Sequence, residues 1–355
     1  MALRFYYEFQ NRKEVVYRVE VHDANFSGTA YEVTAQADGF ILSYEGQQED
    51  IFMPIVGSHC ELPVVNRSSY STDFDDFLDD LIVSKENRFT VAIYLDPDGG
   101  NTLYWAGVIA PEQTTYEDKS SAAGQLVTLV AIDDLSALKY VDYNNDGVAY
   151  TDVASIASHA INCLKKTRTS LLFWGADDVF LSIGELFAYN DGTDYQPLDE
   201  DFAIAHSELY EINEYNNQQW HSCYKVLESI CKTFMYSAML VGGRWVLFPR
   251  HIVASDTTPT FTNWKRGGVK IAEDQSLINA RVIGTSTGNV RRYADIEETH
   301  LNAVREVKIQ HNYDGNLAII TSGNLAPNNI VGFTQTANDW IVPSGEKVTT
   351  YFSVT

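Results

Sequence analysis

Residues 103–139, LYWAGVIAPEQTTYEDKSSAAGQLVTLVAIDDLSALK, carry the pattern around which the rest of the chain is arranged. A short apolar run at 103–109 predicts a strand, in which Trp105 belongs to the core and Gly107 leaves room for a close neighbour. The polar residues 111–124 then predict a long loop.

A second apolar run, at 126–132, is rich in β-branched residues and has no polar alternation. It predicts a strand that is buried on both faces. Asp133 and Asp134 end that strand, and we expect them to cap a helical turn at 134–139, whose acidic start and basic end suit the helix dipole. The expected order is therefore strand, long loop, central strand and cap.

The segments before this stretch read as strands and one helix. Residues 3–66 contain short apolar or alternating runs that are separated by Gly, Asn and Asp, which predicts β-structure. Residues 73–85 predict an amphipathic helix, with Thr72 and Asp75 as a capping pair. Its apolar stripe consists of Phe74, Phe77, Leu78, Leu81 and Ile82. Its opposite face is acidic, and we interpret that face as solvated.

Helical spacing returns after residue 150. Thr151 is expected to cap a helix whose apolar stripe runs over 153–164. Residues 171–219 are acidic, Tyr-rich and weakly periodic, and we interpret them as a mixed insertion with long loops. A third helix is predicted at 222–236, and it leads into a hairpin whose turn is Gly242-Gly243. Beyond residue 259 the pattern predicts strands again, including AVREVKIQHNY at 303–313.

These patterns predict an α+β protein that is mainly β. Two β-barrel-like domains, 1–143 with one helix and 236–355, are expected to bracket an α/β insertion at 144–235. The sequence ends on a predicted strand at 345–355, which we interpret as the start of a truncated C-terminal β-sandwich.

The composition excludes several classes of function. The chain has 355 residues and a formal net charge of −23, which argues against nonspecific binding to nucleic acid because phosphate contacts require Lys and Arg. Most of the excess acid lies in residues 1–150, whereas residues 236–355 are close to neutral. No apolar run approaches the roughly 18 residues of a membrane span, and the first residues, MALRFYYEF, lack the long apolar core of a signal peptide, so we expect a soluble protein that is made in the cytoplasm. The four cysteines show no metal-binding spacing and are expected to be buried thiols.

Two motifs match the consensus sequence of a functional site, but the residues around them do not fit that site. Gly284-Thr285-Ser286-Thr287-Gly288 has the spelling of a nucleophile elbow, but no apolar helix follows it, so a hairpin turn is favoured. Asp142-x-Asn144-x-Asp146-Gly147 matches the first half of a calcium loop, but Val153 stands where the loop needs Glu, so an Asx-rich turn is favoured over a calcium site. No His pair has zinc spacing, and no phosphate-binding Gly loop occurs. We therefore expect no enzyme activity, with no catalytic, cofactor-binding or metal-binding residues.

Several residues of the 103–139 stretch resemble a known family. The resemblance is to the hub proteins at the tip of bacteriophage tails, similar to the baseplate hub of contractile-tailed phages. The residues that carry it are Trp105, Gly107, Pro111, Glu112, Ala131, Asp133, Leu135, Leu138 and Lys139. A second match is the helix and hairpin at 223–250.

The resemblance implies two tail-tube-like barrels and a structural role in the virion. Three chains would close into a ring of six barrels that joins the tail tube to the tip and surrounds the DNA exit channel. The implied partners are two further copies of the chain, distal tail or tail-tube proteins and tip or fibre proteins, with no specific nucleic-acid binding and no stable membrane insertion. The protein would be made in the host cytoplasm and located in the phage tail.

The charge asymmetry suggests how such copies would meet. A head-to-tail contact would bring the acidic half against the near-neutral half, whereas a symmetric dimer would bring two acidic surfaces together. The cations expected nearest this contact are Arg281, Arg291, Arg292 and Arg305. Two alternatives remain open at this point: a β-rich carbohydrate-binding or adhesion module, suggested by the Tyr and Trp content, and a cell-wall hydrolase, which no motif supports.

Overall fold

The computed structural model describes residues 1–11, 14–36, 39–45, 53–66, 71–84, 88–95, 100–116, 125–148, 150, 153–184, 203–205, 210–212, 218–249, 260–271 and 274–275, together with the strand residues between 307 and 352. The chain forms two compact units, Met1–Ala280 and Arg281–Thr355.

A ten-stranded sheet dominates the first unit. Its strands are β1 Ala2–Gln10, β2 Val16–Asp23, β3 Tyr31–Glu32, β4 Thr34–Ala35, β5 Ile41–Tyr44, β6 Ser58–Asn66, β7 Phe89–Leu95, β8 Thr102–Ile109, β9 Thr115–Tyr116 and β10 Gln125–Ile132. Their order is β3-β1-β2-β7-β8-β10-β6-β4, with β5 paired to β6 and β9 paired to β10. The pairing of β1 with β3 is parallel, and the other pairings in this sheet are antiparallel.

Residues 31–35 bring the two ends of this sheet together. β3 pairs with β1 at one end of the strand order, and β4 pairs with β6 at the other. Val33, between these two strands, is buried, and its backbone N–H donates to the Tyr6 carbonyl oxygen over 2.9 Å. Because β3 and β4 are successive in the chain, the segment nearly closes the sheet into a barrel and covers the edges of β1 and β6 that it pairs with. The predicted mainly β, barrel-like fold is confirmed for this region.

Helix α1, Ser71–Val83, packs on the barrel through aromatic side chains. Phe74 and Phe77 are fully buried, and their ring centroids lie 5.5 and 5.0 Å from that of Phe5 on β1. Burial of two Phe side chains on one face is what fixes this helix, because each removes a large apolar area from water.

Two details of the predicted helix 73–85 are wrong. The helix begins at Ser71, so Thr72 lies within it, and the Asp75 carboxylate accepts a hydrogen bond from Asn66 Nδ2 over 2.8 Å. Ile82 is 64% exposed, although its spacing places it on the apolar stripe. Periodicity identifies a helix face, but it does not show how far along the helix the neighbouring sheet extends.

The central strand β10 differs from its prediction. Val127, Leu129 and Ala131 are fully buried, whereas the alternate residues Leu126, Thr128, Val130 and Ile132 are half-buried. The predicted burial on both faces is therefore wrong. One face lies in the barrel core and the other is an apolar outer face, as expected for an antiparallel barrel strand.

The rest of the first unit combines three helices with a second sheet. The helices are α2 Ile156–Leu164, α3 Ser170–Phe173 and α4 Cys223–Phe234. The strands are β11 Val153–Ser155, β12 Val179–Gly184, β13 Ala203–Ala205, β14 Tyr210–Ile212, β15 Gln218–Trp220, β16 Tyr236–Val241, β17 Arg244–Pro249, β18 Thr260–Lys265 and β19 Asp274–Gln275. Five of them form the sheet β16-β17-β12-β18-β19, while β11 pairs with β13 and β14 with β15.

Strand β12 lies within residues 171–219, the segment interpreted from the sequence as a mixed insertion with long loops. It lies in the middle of the second sheet, parallel to β17 and antiparallel to β18, and five of its six residues are buried. A short apolar run among acidic residues is a weak signal in sequence, although it forms the centre of a sheet here.

The two longer helices of this region have serine N-caps. Ser222, the residue at which the third helix was predicted to begin, is the N-cap of α4, because its side chain accepts from the Lys225 N–H over 3.2 Å. The predicted cap Thr151 is wrong for α2, which begins at Ile156 and is capped by Ser155 through the Ser158 N–H, also over 3.2 Å. All four cysteines are buried thiols that form no disulfide, as predicted.

The hairpin β16–β17 joins the second sheet to the barrel. Its turn is Gly242-Gly243, as predicted, with φ values of 57° and 74°. The Ala238 N–H of β16 donates to the Pro54 carbonyl oxygen over 2.8 Å, and the Ala238 carbonyl accepts from the Val56 N–H over 2.9 Å. Barrel and second sheet therefore belong to one compact unit, and the predicted boundaries at 143 and 235 stay a prediction.

The second unit contains two small sheets. Its strands are β20 Val307–Asn312, β21 Ile319–Thr321, β22 Ile330–Val331, β23 Thr334–Thr336, β24 Asp339–Ile341 and β25 Lys347–Phe352. The strand orders are β20-β25-β22 and β21-β24-β23. The strand expected within 303–313 is β20. In the described part of the chain, no helix has both the length and the apolar character that crossing a membrane requires.

Candidate functional site

A buried polar network lies where β8, β10 and β6 meet. Trp105 on β8 is fully buried, as predicted, and its Nε1–H donates to Ser58 Oγ over 3.0 Å. The Ser58 hydroxyl and backbone N–H both donate to Asp133 Oδ2, over 2.8 and 2.6 Å. Asp133 Oδ1 accepts from the Leu135 N–H over 3.1 Å. Asp133 therefore ties the end of β10 to both the barrel wall and the turn that follows.

Burial strongly affects the Asp133 carboxyl group. Desolvation, with a smaller contribution from the neighbouring Asp134 carboxylate, raises its pKa to about 6, although hydrogen bonds from Ser58 and the Leu135 backbone oppose this change. The charged form is disfavoured because it has lost its water and has hydrogen-bond donors, but no cation, in direct contact.

Asp134 does not cap the next turn with its side chain, which corrects the prediction. It adopts left-handed backbone geometry at φ 72°, and the turn Leu135–Tyr140 is a 3₁₀ helix. Its carboxylate accepts from the Arg168 backbone N–H over 2.6 Å and from Arg168 Nε over 2.7 Å, and it also contacts Arg168 Nη2. This ion pair fixes the segment after α2 to the end of the barrel strand.

A groove of about 300 Å³ lies beside this network. Its lining residues are Val108, Ile109, Ala110, Glu112, Ile132, Ser136, Ala137, Lys139, Tyr140 and Arg168. Apart from Arg168 and Tyr140, all of them lie within the 103–139 stretch, and Tyr140 directly follows it. The groove is therefore formed mainly by the part of the sequence that carries the family resemblance.

The groove combines an apolar floor with a charged rim. Tyr140 is 90% exposed at its edge, and Lys139 Nζ lies 4.8 Å above the Tyr224 ring. Among the lining residues of the described chain there is no histidine or cysteine that could activate a hydroxyl nucleophile. The arrangement suits contact with a partner side chain, because an exposed aromatic ring supplies a large contact area at low entropic cost.

A second cavity, of about 440 Å³, lies beside an ionic cluster between α1 and the barrel. Arg4 Nη1 donates to Asp23 and to Asp80, each over 2.6 Å. Arg88 donates to the same two carboxylates over 2.9 Å. Desolvation works against ionisation of Asp23, but hydrogen bonds from Arg88, the Asn25 backbone and Arg4 lower its pKa overall. The cluster locks α1 onto β1 and β2.

The Asx-rich loop is a turn in the structure. Gly147 has φ 85°, and its N–H donates to Asn144 Oδ1 over 3.0 Å. Lys166 Nζ donates to the carbonyl oxygens of Asp142 and Asn144 over 2.9 and 2.5 Å. An ammonium group therefore already binds the two carbonyl oxygens on this side of the loop. Within the described residues, no group of three or more His, Cys, Asp or Glu is placed to hold a metal ion.

The predicted interface cations lie outside the described residues. This holds for Arg281, Arg291, Arg292 and Arg305, and also for the Gly284 to Gly288 motif. Sequence reasoning found Trp105, Asp133 and Lys139 but missed Ser58 and Arg168. Ser58 reaches Asp133 across 75 positions of sequence and Arg168 reaches Asp134 across 34, and neither residue belongs to a local motif.

Comparisons with known proteins give no family assignment. No protein-family model and no curated protein matches the chain. Three solved structures show low similarity, and each spans this chain only in part. A tail protein from Neisseria meningitidis MC58 has 9% identity and a TM-score of 0.31, covering 65% of this chain and 50% of its own.

The other two structures come from prophages. The 43 kDa tail protein of prophage MuSo2 from Shewanella oneidensis has 10% identity and a TM-score of 0.28, covering 59% of this chain and 53% of its own. The prophage tail protein gp18 from Listeria monocytogenes EGD-e has 12% identity and a TM-score of 0.26, covering 61% and 45%. The chain spans about half the length of these structures, and such values carry no argument about its function.

Proposed function

We propose that the protein is a structural component of a bacteriophage tail tip, a hub whose copies form a ring between the tail tube and the tip. The observation that supports this most is that the nine residues carrying the resemblance to tail-tip hub proteins lie close together in the structure. Trp105 and Gly107 lie on β8, and Ala131 lies on the paired strand β10. Pro111 and Glu112 lie in the 3₁₀ turn Pro111–Gln113 that follows β8, Asp133 follows β10, and the last three lie in the 3₁₀ helix Leu135–Tyr140. They occupy one corner of the barrel.

The barrel suits a ring component for a physical reason. Segment 31–35 covers its edges, so neighbouring copies would meet through side chains and not through open strands. The outer face of β10 is apolar and half-buried, and it leads into the groove at Tyr140. Burial of such a patch against a neighbouring tail protein would remove apolar area from water. The excess of acid in the N-terminal half would keep DNA phosphates from adhering to a channel wall.

Co-assembly with tail-tube and tip proteins tests this proposal. We expect the wild-type chain to enter a complex with them, and Tyr140→Ser to weaken that complex by about tenfold, since exposed aromatic residues are frequent anchors of binding energy. Val148→Ser is the matched control, because Val148 is also an exposed apolar residue, at 63%, and does not line the groove. Equal loss in both variants would contradict a role for the groove, and failure of the wild-type chain to enter any complex would contradict the proposed function.

One observation favours a second candidate, a carbohydrate-binding or adhesion module. Tyr140 stands exposed beside a groove with a polar rim, and sugars pack their apolar faces on such rings. A glycan array separates the two candidates. Binding of the isolated chain to a defined glycan, lost in Tyr140→Ser and kept in Val148→Ser, would favour the module.

A further inference from the structure

Three large apolar side chains are exposed where α3 meets the turn after β18. Leu171 and Leu172 on α3 are 72% and 40% exposed, and Val269 in the turn is 60% exposed. Arg266 Nη1 donates to the Ser170 carbonyl oxygen over 3.3 Å, which holds the turn against the start of α3. Single exposed apolar residues are common on soluble proteins, whereas a group of them is typical of a contact surface.

The backbone that carries these side chains is fixed at both places. Trp174, directly after α3, is buried, and its Nε1–H donates to the Gly243 carbonyl oxygen over 2.8 Å. In the turn, the Gly268 N–H donates to the Lys265 carbonyl oxygen and the Lys265 N–H to the Val269 carbonyl oxygen, each over 2.9 Å. A partner could therefore bind here without first having to order the segment, which lowers the entropic cost of binding.

The same surface is basic, although the whole chain is strongly acidic. Residues 165–178 and 260–271 contain six Lys or Arg and two Asp, whereas the whole chain has 25 basic and 48 acidic residues. Lys270, next to Val269, is exposed, and Arg266 is half-buried. This surface favours a partner that presents carboxylates beside apolar side chains. We define the basic–apolar patch as Leu171, Leu172, Arg266, Val269 and Lys270.

Helix α1 presents a complementary surface on the same chain. Asp76, Asp79 and Val83 have the spacing of one helix face, and Ile82 lies next to them. Ile82 and Val83 are 64% and 79% exposed, and the aspartates are exposed as well. This face therefore carries carboxylates along its length and apolar side chains at its end. We define the acidic face of α1 as Asp75, Asp76, Asp79, Ile82 and Val83.

The ionic cluster next to α1 leaves this face negative. Its two cations, Arg4 and Arg88, form ion pairs with two carboxylates, Asp23 and Asp80. The charges within the cluster are thus balanced. The remaining aspartates of α1 add negative charge, and α1 itself contains no basic residue.

We propose that the basic–apolar patch of one copy binds the acidic face of α1 of a second copy. This inference rests on the proposed ring and names the two surfaces through which its copies would meet. The carboxylates of α1 lie against Arg266 and Lys270 in this contact, and the apolar end of α1 packs on the exposed leucines and Val269.

A second copy is the partner that the observations favour. Every copy carries both surfaces, their charges are opposite, and each also has large exposed apolar side chains. Both surfaces are exposed in the single chain, so neither is used to cover the other within it. Because the two surfaces differ, the contact is head to tail, and such contacts produce a ring when the rotation between copies closes.

Charge reversal with rescue tests the proposal on the isolated chain. Sedimentation velocity at low salt measures self-association over a range of protein concentrations. Arg266→Glu/Lys270→Glu makes the patch acidic, and Asp76→Lys/Asp79→Lys makes α1 basic. Each variant alone should associate at least about tenfold more weakly than the wild type, because like charges would meet. An equimolar mixture of the two should regain association, since each reversed surface then meets an opposite charge on the other variant.

Matched variants control for net charge. Lys225→Glu/Lys232→Glu changes the net charge as much as the patch variant does, at two exposed lysines of α4 that belong to neither surface. It should leave self-association within about twofold of the wild type.

The apolar part of the contact has its own pair of variants. Leu171→Ser should weaken self-association several-fold, whereas Ile41→Ser, at a residue of β5 that is 46% exposed, should not. Thermal melting of every variant shows whether it is folded, and the two halves of the contact are tested by independent substitutions.

A wild-type chain that stays monomeric at every concentration would overturn the proposal. Equal loss in the patch variant and the α4 control would also overturn it, as would a mixture that fails to regain association. These measurements use no tail-tube or tip protein. Failed rescue, with entry of the wild type into a tail complex, would contradict this contact alone, and rescue without such entry would contradict the tail function alone.

Discussion

At the scale of single residues, Trp105 connects the most apolar part of the barrel to its buried polar network. The ring is fully buried, and its Nε1–H donates a hydrogen bond to the Ser58 hydroxyl oxygen. The Ser58 hydroxyl in turn donates to Asp133. The side chain therefore contributes through packing and also through a hydrogen bond that orients the serine.

Trp105→Ala should lower the free energy of unfolding by about 3–5 kcal/mol, because it leaves a large cavity in the core. Trp105→Phe keeps most of the apolar volume and removes the donor, so it should cost less than the alanine variant by about 2 kcal/mol or more. Chemical denaturation of the three proteins measures both differences. An unchanged midpoint in Trp105→Ala would place the ring at the surface and favour the binding-module alternative.

Asp133 makes a distinct prediction about pH. Its pKa is about 6 in the folded protein, against an ordinary value of 3.8, so the folded state binds the proton more tightly than the unfolded state. The contribution of this group to stability is therefore greatest below about pH 4, declines as the pH rises from about 4 to 6, and is constant above that. The total decline is on the order of 3 kcal/mol.

Asp133→Asn removes this dependence, since the amide does not titrate. The unfolding free energies of wild type and variant, measured at pH 4.5 and pH 7, should diverge in favour of wild type at the lower pH. Asp23 contributes the opposite slope, because its pKa is lowered and its stabilisation is lost at acid pH, but that slope is common to both proteins. Parallel pH profiles would contradict the buried, proton-binding state of Asp133.

At the scale of elements, the sequence predicted the positions of α1, α4 and the β16–β17 hairpin well, because spacing and turn chemistry are local. The predictions were wrong where packing against a neighbouring element determines burial or the end of a helix. The outer residues of β10 are as apolar as the inner ones, and only the barrel's curvature shows that they face outward. Ser155, not Thr151, caps α2 because β11 extends up to it. Likewise, Ser58 and Arg168 lie at the site because they form hydrogen bonds with residues that are distant in sequence, and no local sequence pattern predicts such contacts.

The hairpin turn allows a matched test of how the second sheet docks on the barrel. Gly242 and Gly243 both have positive φ, but a Cβ at Gly242 would meet open space, whereas one at Gly243 would lie 1.9 Å from the Leu103 carbonyl oxygen. Both alanine variants should lose about 1 kcal/mol from backbone strain. Gly243→Ala should lose a further 1–3 kcal/mol or so, because the turn is displaced from β8. Equal unfolding free energies for the two variants would contradict this docking.

At the scale of the whole molecule, the charge distribution bears on how copies of the chain would assemble. The chain carries a net charge of −23, most of it in its N-terminal half, so we expect like halves to repel and propose that copies meet head to tail. Arg291 and Arg292 remain the cations expected at that contact. The double variant Arg291→Glu/Arg292→Glu should weaken assembly more at low salt than at high salt, since added ions screen the new repulsion. Equal weakening at both salt concentrations would argue against an electrostatic contact.

We propose that copies of this chain close into a ring. The most direct test is the mass of the protein in solution at high concentration, measured by light scattering with its tail-tube and tip partners supplied, together with low-resolution images of the particles. We expect three copies in each ring-shaped particle, with an open centre. A chain that stays monomeric under these conditions would contradict closure into a ring.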